Sequence, residues 1–251
     1  MRFSWKILLT ISAILAAPTL LVLRAQQPPP QAESIDLSNF PILDYANQRQ
    51  QSASERATRD AKSKKYNSGY APRIVESTDQ IFAVSDWDVG LRALPVTNSS
   101  AVIIGEITDA QAHLSEDQTK IYSEFVVRLE GVFKKDKNPL NVGDSITVER
   151  VGGRVRFPSG KLAVSMVNHQ DMPRVGVRYV LFLTHNFPMG GEYDNDYFIL
   201  TGYELRGGRV FPLDKPLPGH PITAYKGTDE KFFISDLTFL LESNPLTMKS
   251  N

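Results

Sequence analysis

The chain contains no cysteine among its 251 residues. This absence excludes a disulfide framework, a cysteine-ligated zinc or iron–sulfur site and a thiol nucleophile. It also excludes a lipid-modified cysteine as a membrane anchor. Because many exported bacterial proteins lack cysteine, the absence does not assign the chain to the cytoplasm.

The chain also lacks an excess of charge of either sign, since 28 basic residues balance 28 acidic ones. Nucleic-acid-binding domains are usually strongly basic, so we expect no nucleic-acid partner. The charge is unevenly distributed, however. Residues 45–73 hold seven basic and two acidic side chains, whereas residues 76–150 hold 13 acidic and 7 basic ones. We interpret the basic segment as a solvated spacer, with contact to anionic lipid headgroups or another envelope polyanion as the alternative.

Common catalytic and phosphate-binding motifs are missing. The sequence has no G-x-S-x-G, no H-E-x-x-H and no P-loop. Its glycine pairs at 152–153, 190–191 and 207–208 lack the strand–loop–helix context of a phosphate cradle, so they indicate turns or bulges. We therefore predict no catalytic residue, no metal-binding residue and no cofactor.

Three weaker patterns remain as alternatives. The "GDSI" at 143–146 resembles the nucleophile block of one serine hydrolase group. However, this motif leads into a strand, and no Asp-x-x-His follows it. A hydrolase that uses Ser145 is therefore an alternative only. In "GGEYDNDY", three acidic residues alternate along a loop, Glu192, Asp194 and Asp196. Their oxygen atoms are suitable calcium ligands, but we favour a solvated hairpin tip. The histidines lie at predicted loop or strand ends without metal-ligand spacing: His113, His169, His185 and His220.

The first 25 residues predict export. Arg2 and Lys6 precede an apolar run at residues 7–23, and the chain then becomes polar. This is the pattern of a signal peptide cleaved after Ala25, or of a retained membrane anchor through residues 7–23. Either interpretation places the remaining chain outside the cytoplasm, in the periplasm or secreted.

The rest of the chain divides by composition into five further segments. The polar helix at 44–68 is rich in basic residues but has hardly any apolar stripe, so we expect it to be exposed or frayed. In the wrapping segment at 69–98 we expect Trp87 to pack as an anchor. In the C-terminal segment at 214–251 we expect Ser235 to cap a helix that reaches Glu242. The segments are a Pro-rich tether at 26–43, a polar helix at 44–68, an extended wrapping segment at 69–98, a β-barrel domain at 99–213, and a C-terminal loop with a short helix at 214–251.

Alternating apolar and polar residues dominate residues 99–213. In "IYSEFVVRLEGVFKK", Phe125, Val127 and Leu129 fall on one face, while acidic and basic residues fall on the other. In "VGVRYVLFLT" (175–184), both faces are largely apolar, which indicates a central strand. Turn residues separate these runs. The pattern predicts a mainly β fold: a small antiparallel OB-like barrel with an N-terminal polar helix and a short C-terminal helix.

The motifs "AVIIGEIT", "FVVRLEGVFKK", "VGDSITVERVGG", "VGVRYVLFLT" and "ILTGY" carry a family resemblance across residues 101–203. The segment resembles a group of exported bacterial proteins, most of which have no assigned role. It is also similar to the netrin / tissue-inhibitor-of-metalloproteinase-like module, which implies an OB-type barrel. Inhibitors of that class use an N-terminal cysteine and disulfides, which this chain lacks. The resemblance therefore implies the fold but not protease inhibition.

Together these patterns predict an exported, non-enzymatic binding module that contacts an envelope protein or a glycan. A metalloprotease-inhibitor-like protein is the first alternative, because the resemblance suggests it. A hydrolase is the second alternative.

Overall fold

A computed structural model describes residues 37–47, 53–76, 80–86, 90–186, 193 and 195–243. The predicted signal peptide or anchor, Trp87, Glu192 and Asp194 lie outside these residues, as does most of the predicted tether. The described part of the chain is mainly β, as the sequence predicts, with two α-helices.

The secondary-structure elements follow one another as successive strands interrupted by two helical regions. The strands are β1 (Ile42–Asp44), β2 (Gln80–Asp86), β3 (Ala101–Leu114), β4 (Ile121–Lys134), β5 (Ser145–Val151), β6 (Gly153–Arg156), β7 (Leu162–Asn168), β8 (Arg178–Thr184), β9 (Tyr197–Arg206), β10 (Arg209–Pro212) and β11 (Thr228–Asp229). The helices are α1 (Ala53–Ser63) and α2 (Glu230–Ser243), with 3₁₀ turns at Lys64–Tyr66 and Pro221–Tyr225.

These strands form two sheets. The larger has the order β11-β10-β9-β5-β4-β3-β8, and β9 also pairs with β8. The smaller has the order β1-β6-β7-β2. Most neighbours run antiparallel, but β5–β9, β1–β6 and β2–β7 are parallel pairs.

The long hairpin of β3 and β4 confirms the alternation predicted from its sequence. Phe125, Val127 and Leu129 are buried in one hydrophobic cluster, whereas Arg128 and Glu130 of the same strand are exposed. Neighbouring strands add Ile103, Leu181 and other aliphatic residues to this cluster. Period-two alternation therefore separates one buried face of β4 from a polar outer face.

Strand β8 is central, as its apolar run predicts. It pairs with β3 on one side and β9 on the other. Tyr179 and Leu181 belong to the same cluster as Phe125, whereas Val180 and Phe182 belong to a second cluster that includes residues of α2. Because β8 is covered on both faces, its apolar residues need not alternate with polar ones.

The N-terminal part of the described chain differs from the extended tether predicted for it. Phe40 and Leu43 are 3% and 6% exposed, and β1 pairs in parallel with β6. Arg154 of β6 also donates to the carbonyl oxygen of Phe40 at 2.9 Å. The short apolar stretch at residues 40–43 therefore fixes residues 40–44 against the sheet.

Helix α2 begins earlier than predicted. The carboxylate of Asp229 accepts hydrogen bonds from the backbone nitrogens of Lys231 and Phe232, which is the contact of an N-cap residue. Ser235 is instead an exposed residue within the helix. Leu237 and Leu241 of this helix are buried. Among the described residues, no helix is long and apolar enough to cross a bilayer.

Candidate interaction site

A basic segment of the chain lies against an acidic part of the larger sheet. The basic segment comprises α1, the following 3₁₀ turn and residues 67–69. Arg59, Lys62 and Tyr66 recur at helical spacing and therefore share one face. This face contacts the outer surface of β4 and β5, so the helix is docked through charge, where the sequence suggested a solvated spacer.

The carboxylates that receive this helix come from three places in the chain. We use the name acidic face for Glu124 of β4, Glu149 of β5 and Asp196, which precedes β9, together with Tyr122 of β4. Lys62 Nζ lies 3.1 Å from an oxygen of Glu124 and 3.4 Å from one of Glu149. Two neighbouring antiparallel strands thus present their outward acids to one lysine.

Lys65 is the most deeply buried cation of the basic segment. Its side chain is 4% exposed, and its Nζ lies 2.8 Å from Glu149 and 2.7 Å from Asp196. The ammonium also lies 4.9 Å from the ring centroid of Phe198, within cation–π range. Because Glu149 is itself 1% exposed, loss of Lys65 or Glu149 would remove one of the charges that compensate the other in a buried position.

Tyr66 attaches the end of the segment to the same face. Its ring stacks on that of Tyr122 with centroids 3.9 Å apart and an interplanar angle of 4°. Its hydroxyl donates a short hydrogen bond to Glu149. Burial raises the pKa of Tyr66 well above its usual value, and the negative charge of Glu149 raises it further. The hydroxyl therefore stays protonated and remains a donor.

A second contact holds residues 67–69 against the turn between β3 and β4. The backbone nitrogen of Ser68 donates to the Asp117 carboxylate at 3.0 Å, and the Asp117 nitrogen donates to the side-chain oxygen of Asn67 at 3.0 Å. Burial opposes ionisation of Asp117, but hydrogen bonds from Thr119, Ser115 and Ser68 outweigh it and lower the pKa. The basic segment is thus fixed at both its helical face and its C-terminal end.

Glu124 is the acid whose ionisation these contacts affect most clearly. Burial acts to raise its pKa, but the hydrogen bond from His113, which lies 3.3 Å away, and the charge of Lys62 outweigh burial and lower the pKa from 4.5 to about 2. Burial in turn lowers the pKa of His113, partly offset by Glu124. Arg59 contacts the ring nitrogens of His113 from the helix side.

A buried Arg–Asp pair lies elsewhere in the sheet. Arg150 Nη2 lies 2.8 and 2.9 Å from the two oxygens of Asp214, and neither side chain is exposed. Asp214 also accepts from the hydroxyl of Thr201 at 2.8 Å and from the backbone nitrogen of Asp171 at 3.0 Å. Since both oxygens of this carboxylate are used, the pair is a structural element that joins β5 to the segment after β10, and Asp171 adds the loop before β8.

His185 forms the arrangement closest to a catalytic pair. Its Nε2 contacts the carboxylate of Asp136, while its Nδ1 lies 2.8 Å from the backbone oxygen of Asp196. Tyr197 donates to the other oxygen of Asp136 at 3.0 Å. Because both ring nitrogens of His185 face acceptors, neither is left to take a proton from a nucleophile.

The residues of the weaker sequence patterns do not converge. Ser145 is exposed at the start of β5 and pairs across the strands with Arg128, not with a histidine. Of the loop acids, the described Asp196 binds Lys65. His169 and His220 lie in separate loops, and His220 caps the 3₁₀ turn that follows it. No group of three His, Cys, Asp or Glu side chains within the described residues is arranged to hold a metal ion.

Alternation along β4 predicts that Glu124 lies on the polar face of the strand, but it does not predict what that face contacts. A usable signal was present in the opposite charge of the two regions, since a segment of seven basic residues precedes one with 13 acidic residues. Opposite charge alone does not specify which strands or which helix face meet. Lys65 and Asp196 lie 131 residues apart along the chain and meet only in the folded structure.

The chain matches no protein-family model. No curated protein is significantly similar to it.

Proposed function

We propose that this chain is an exported, non-enzymatic binding protein whose β domain is a closed, OB-type barrel. Support for the barrel comes from the cycle of pairings in which β3 pairs with β4, β4 with β5, β5 with β9, β9 with β8 and β8 with β3. An OB-type barrel has five strands in a Greek-key arrangement, and it binds ligands on the face of its second and third strands. In this chain those strands are β4 and β5.

One observation carries the binding role: the outer surface of β4 and β5 already holds a helical segment through specific contacts. Glu149 receives Lys62, Lys65 and the hydroxyl of Tyr66 at the same time. The surface thus has the charge and the aromatic groups of a protein-binding site. Its acidic character is unsuited to nucleic acid, which needs a basic surface, and it favours a protein partner over a glycan.

Export is proposed from the N-terminal sequence alone. It is tested by the mass of full-length chain expressed in a bacterium and recovered from the extracytoplasmic fraction. Loss of the first 25 residues supports a cleaved signal peptide, and an intact mass in the membrane fraction supports an anchor. Recovery of the protein in the cytoplasm would contradict export.

The binding role is tested by capture on the purified full chain, immobilised through a C-terminal tag. We expect saturable capture of a defined partner from envelope extracts, with dissociation constants measurable after purification. Absence of any saturable partner would contradict the role. Turnover of ester or peptide substrates that is lost in Ser145→Ala would favour the hydrolase alternative, and inhibition of secreted metalloproteases would favour the inhibitor alternative.

A further inference from the structure

The acidic face keeps unused binding capacity beneath the helix that covers it. Tyr122 is completely buried, yet its hydroxyl has no hydrogen-bond partner among the described residues. The negative charges of Glu124 and Glu149 and the positive charge of Arg59 all influence this hydroxyl, so it lies among the charges of the contact. A buried hydroxyl without a partner is costly, and the basic segment therefore does not satisfy this surface completely.

The basic segment is also held in a way that permits exchange. Of its side chains, Ser63, Lys65 and Tyr66 are buried, whereas Arg56, Ala57 and Lys64 are exposed. Its attachment combines these ion pairs with the buried ring of Tyr66. Desolvation offsets much of the attraction in buried ion pairs. A second segment with the same charges would make the same contacts and compete for them.

The occupant defines the chemistry that this surface recognises. Cations at positions 59, 62 and 65 and a tyrosine at 66 contact the acidic face from α1 and the 3₁₀ turn that follows it. We propose that the acidic face is a binding surface for a basic, tyrosine-containing helical segment of a partner protein, and that residues 59–66 are its internal occupant, displaced when the partner binds. This inference rests on the proposed binding role but not on export.

A labelled peptide tests the proposal directly. The peptide has the sequence of residues 53–69, ASERATRDAKSKKYNSG, and its binding to the full chain is followed by fluorescence anisotropy. The receptor is the double variant Lys62→Ala and Lys65→Ala, whose internal segment is weakened. Because an internal competitor at an effective concentration near the millimolar range must otherwise be displaced, we expect this variant to bind at least about tenfold more tightly than the unmodified chain.

Matched controls separate recognition from nonspecific charge. Adding Glu149→Gln to the double variant removes the carboxylate at the centre of the contact and is expected to abolish binding. Adding Glu106→Gln instead removes an acid of β3 that pairs with Arg128 on the surface, and it is expected to leave binding unchanged. A peptide carrying Lys62→Glu and Lys65→Glu is expected not to bind. Equal effects of Glu149→Gln and Glu106→Gln would overturn the proposal.

A second measurement avoids weakening the fold. The chain has no cysteine, so Ala57→Cys carries a single spin label at an exposed position of α1. Adding the unlabelled peptide to this otherwise unmodified chain is expected to increase the mobile fraction in the electron paramagnetic resonance spectrum. An unchanged spectrum at millimolar peptide, together with no peptide binding to a folded double variant, would overturn the proposal.

These experiments distinguish failure of the acidic face as a binding surface from failure of the proposed binding role. A partner captured by the full chain with affinity unchanged by Glu149→Gln would leave the binding role intact and overturn this surface. Charge-dependent peptide binding without any captured partner would support the surface and contradict the binding role.

Discussion

Replacing Glu124 with glutamine should change how the stability of the protein depends on pH. In the folded state Glu124 accepts from Lys62 and His113, and its pKa is lowered from 4.5 to about 2. Because the folded-state pKa lies below the unfolded value, the stabilisation is fully present above pH 4.5. It is lost as the pH falls through about 2, where the carboxylate becomes protonated in the folded state too.

The size of this effect follows from the displacement of the pKa. One pKa unit corresponds to 1.36 kcal/mol, so the change from 4.5 to about 2 contributes on the order of 3 kcal/mol to the free energy of unfolding at neutral pH. The side chain of Glu124 is 17% exposed, which limits screening, but Lys62 is 31% exposed. The contribution should therefore decrease in high salt.

Urea denaturation at fixed low ionic strength measures this contribution, because urea is uncharged. Between pH 6 and pH 2, we expect the free energy of unfolding of the original chain to decrease by about 3 kcal/mol more than that of Glu124→Gln. Burial also lowers the pKa of His113 from 6.5, which adds a loss of stability that begins at higher pH; because Glu124 partly offsets this lowering, the variant should keep that loss in full. Glu106→Gln, the surface control, should keep the original profile. Parallel pH profiles of the original chain and Glu124→Gln would refute the reasoning.

Three further substitutions probe other contacts by the same urea assay. Asp214→Ala leaves the fully buried Arg150 without its carboxylate, and we expect a loss of about 3–5 kcal/mol; a loss below about 1 kcal/mol would contradict the structural role of the pair. Gly105→Ala places a Cβ 2.5 Å from the carbonyl oxygen of Arg128 and should cost about 1–3 kcal/mol, so unchanged stability would argue against this strand register. Phe239→Ser alters a side chain that is 67% exposed, and we expect a change within about 0.5 kcal/mol; a larger loss would show that the face is covered.

Much of the sheet could be predicted from period-two patterns. The alternation in β4 identified Phe125, Val127 and Leu129 as buried, and the unbroken apolar run of β8 identified a central strand. These patterns succeed because each strand carries its own burial signal. Residues 40–44 could not be predicted in this way, since the apolar stretch at 40–43 is too short to show a period-two pattern and follows a Pro-rich, polar segment.

The candidate site was less accessible to sequence reasoning than the fold. A helix without an apolar stripe normally indicates exposure, but here Lys62 and Lys65 replace apolar residues in the contact. Their partners lie 62 and 84 residues away along the chain, and local periodicity carries no information about such pairings. The start of α2 was missed for a simpler reason, because both Asp229 and Ser235 are acceptable N-cap residues.

A double-mutant cycle between Lys65 and Glu149 tests most directly whether the acidic face holds the basic segment. The two side chains are 4% and 2% exposed, so Lys65→Met or Glu149→Gln alone leaves the other buried charge with one ionic partner fewer. We expect the free energies of unfolding of the two single variants and the double variant to give a coupling of at least about 1.5 kcal/mol. Additivity within about 0.5 kcal/mol would contradict the contact.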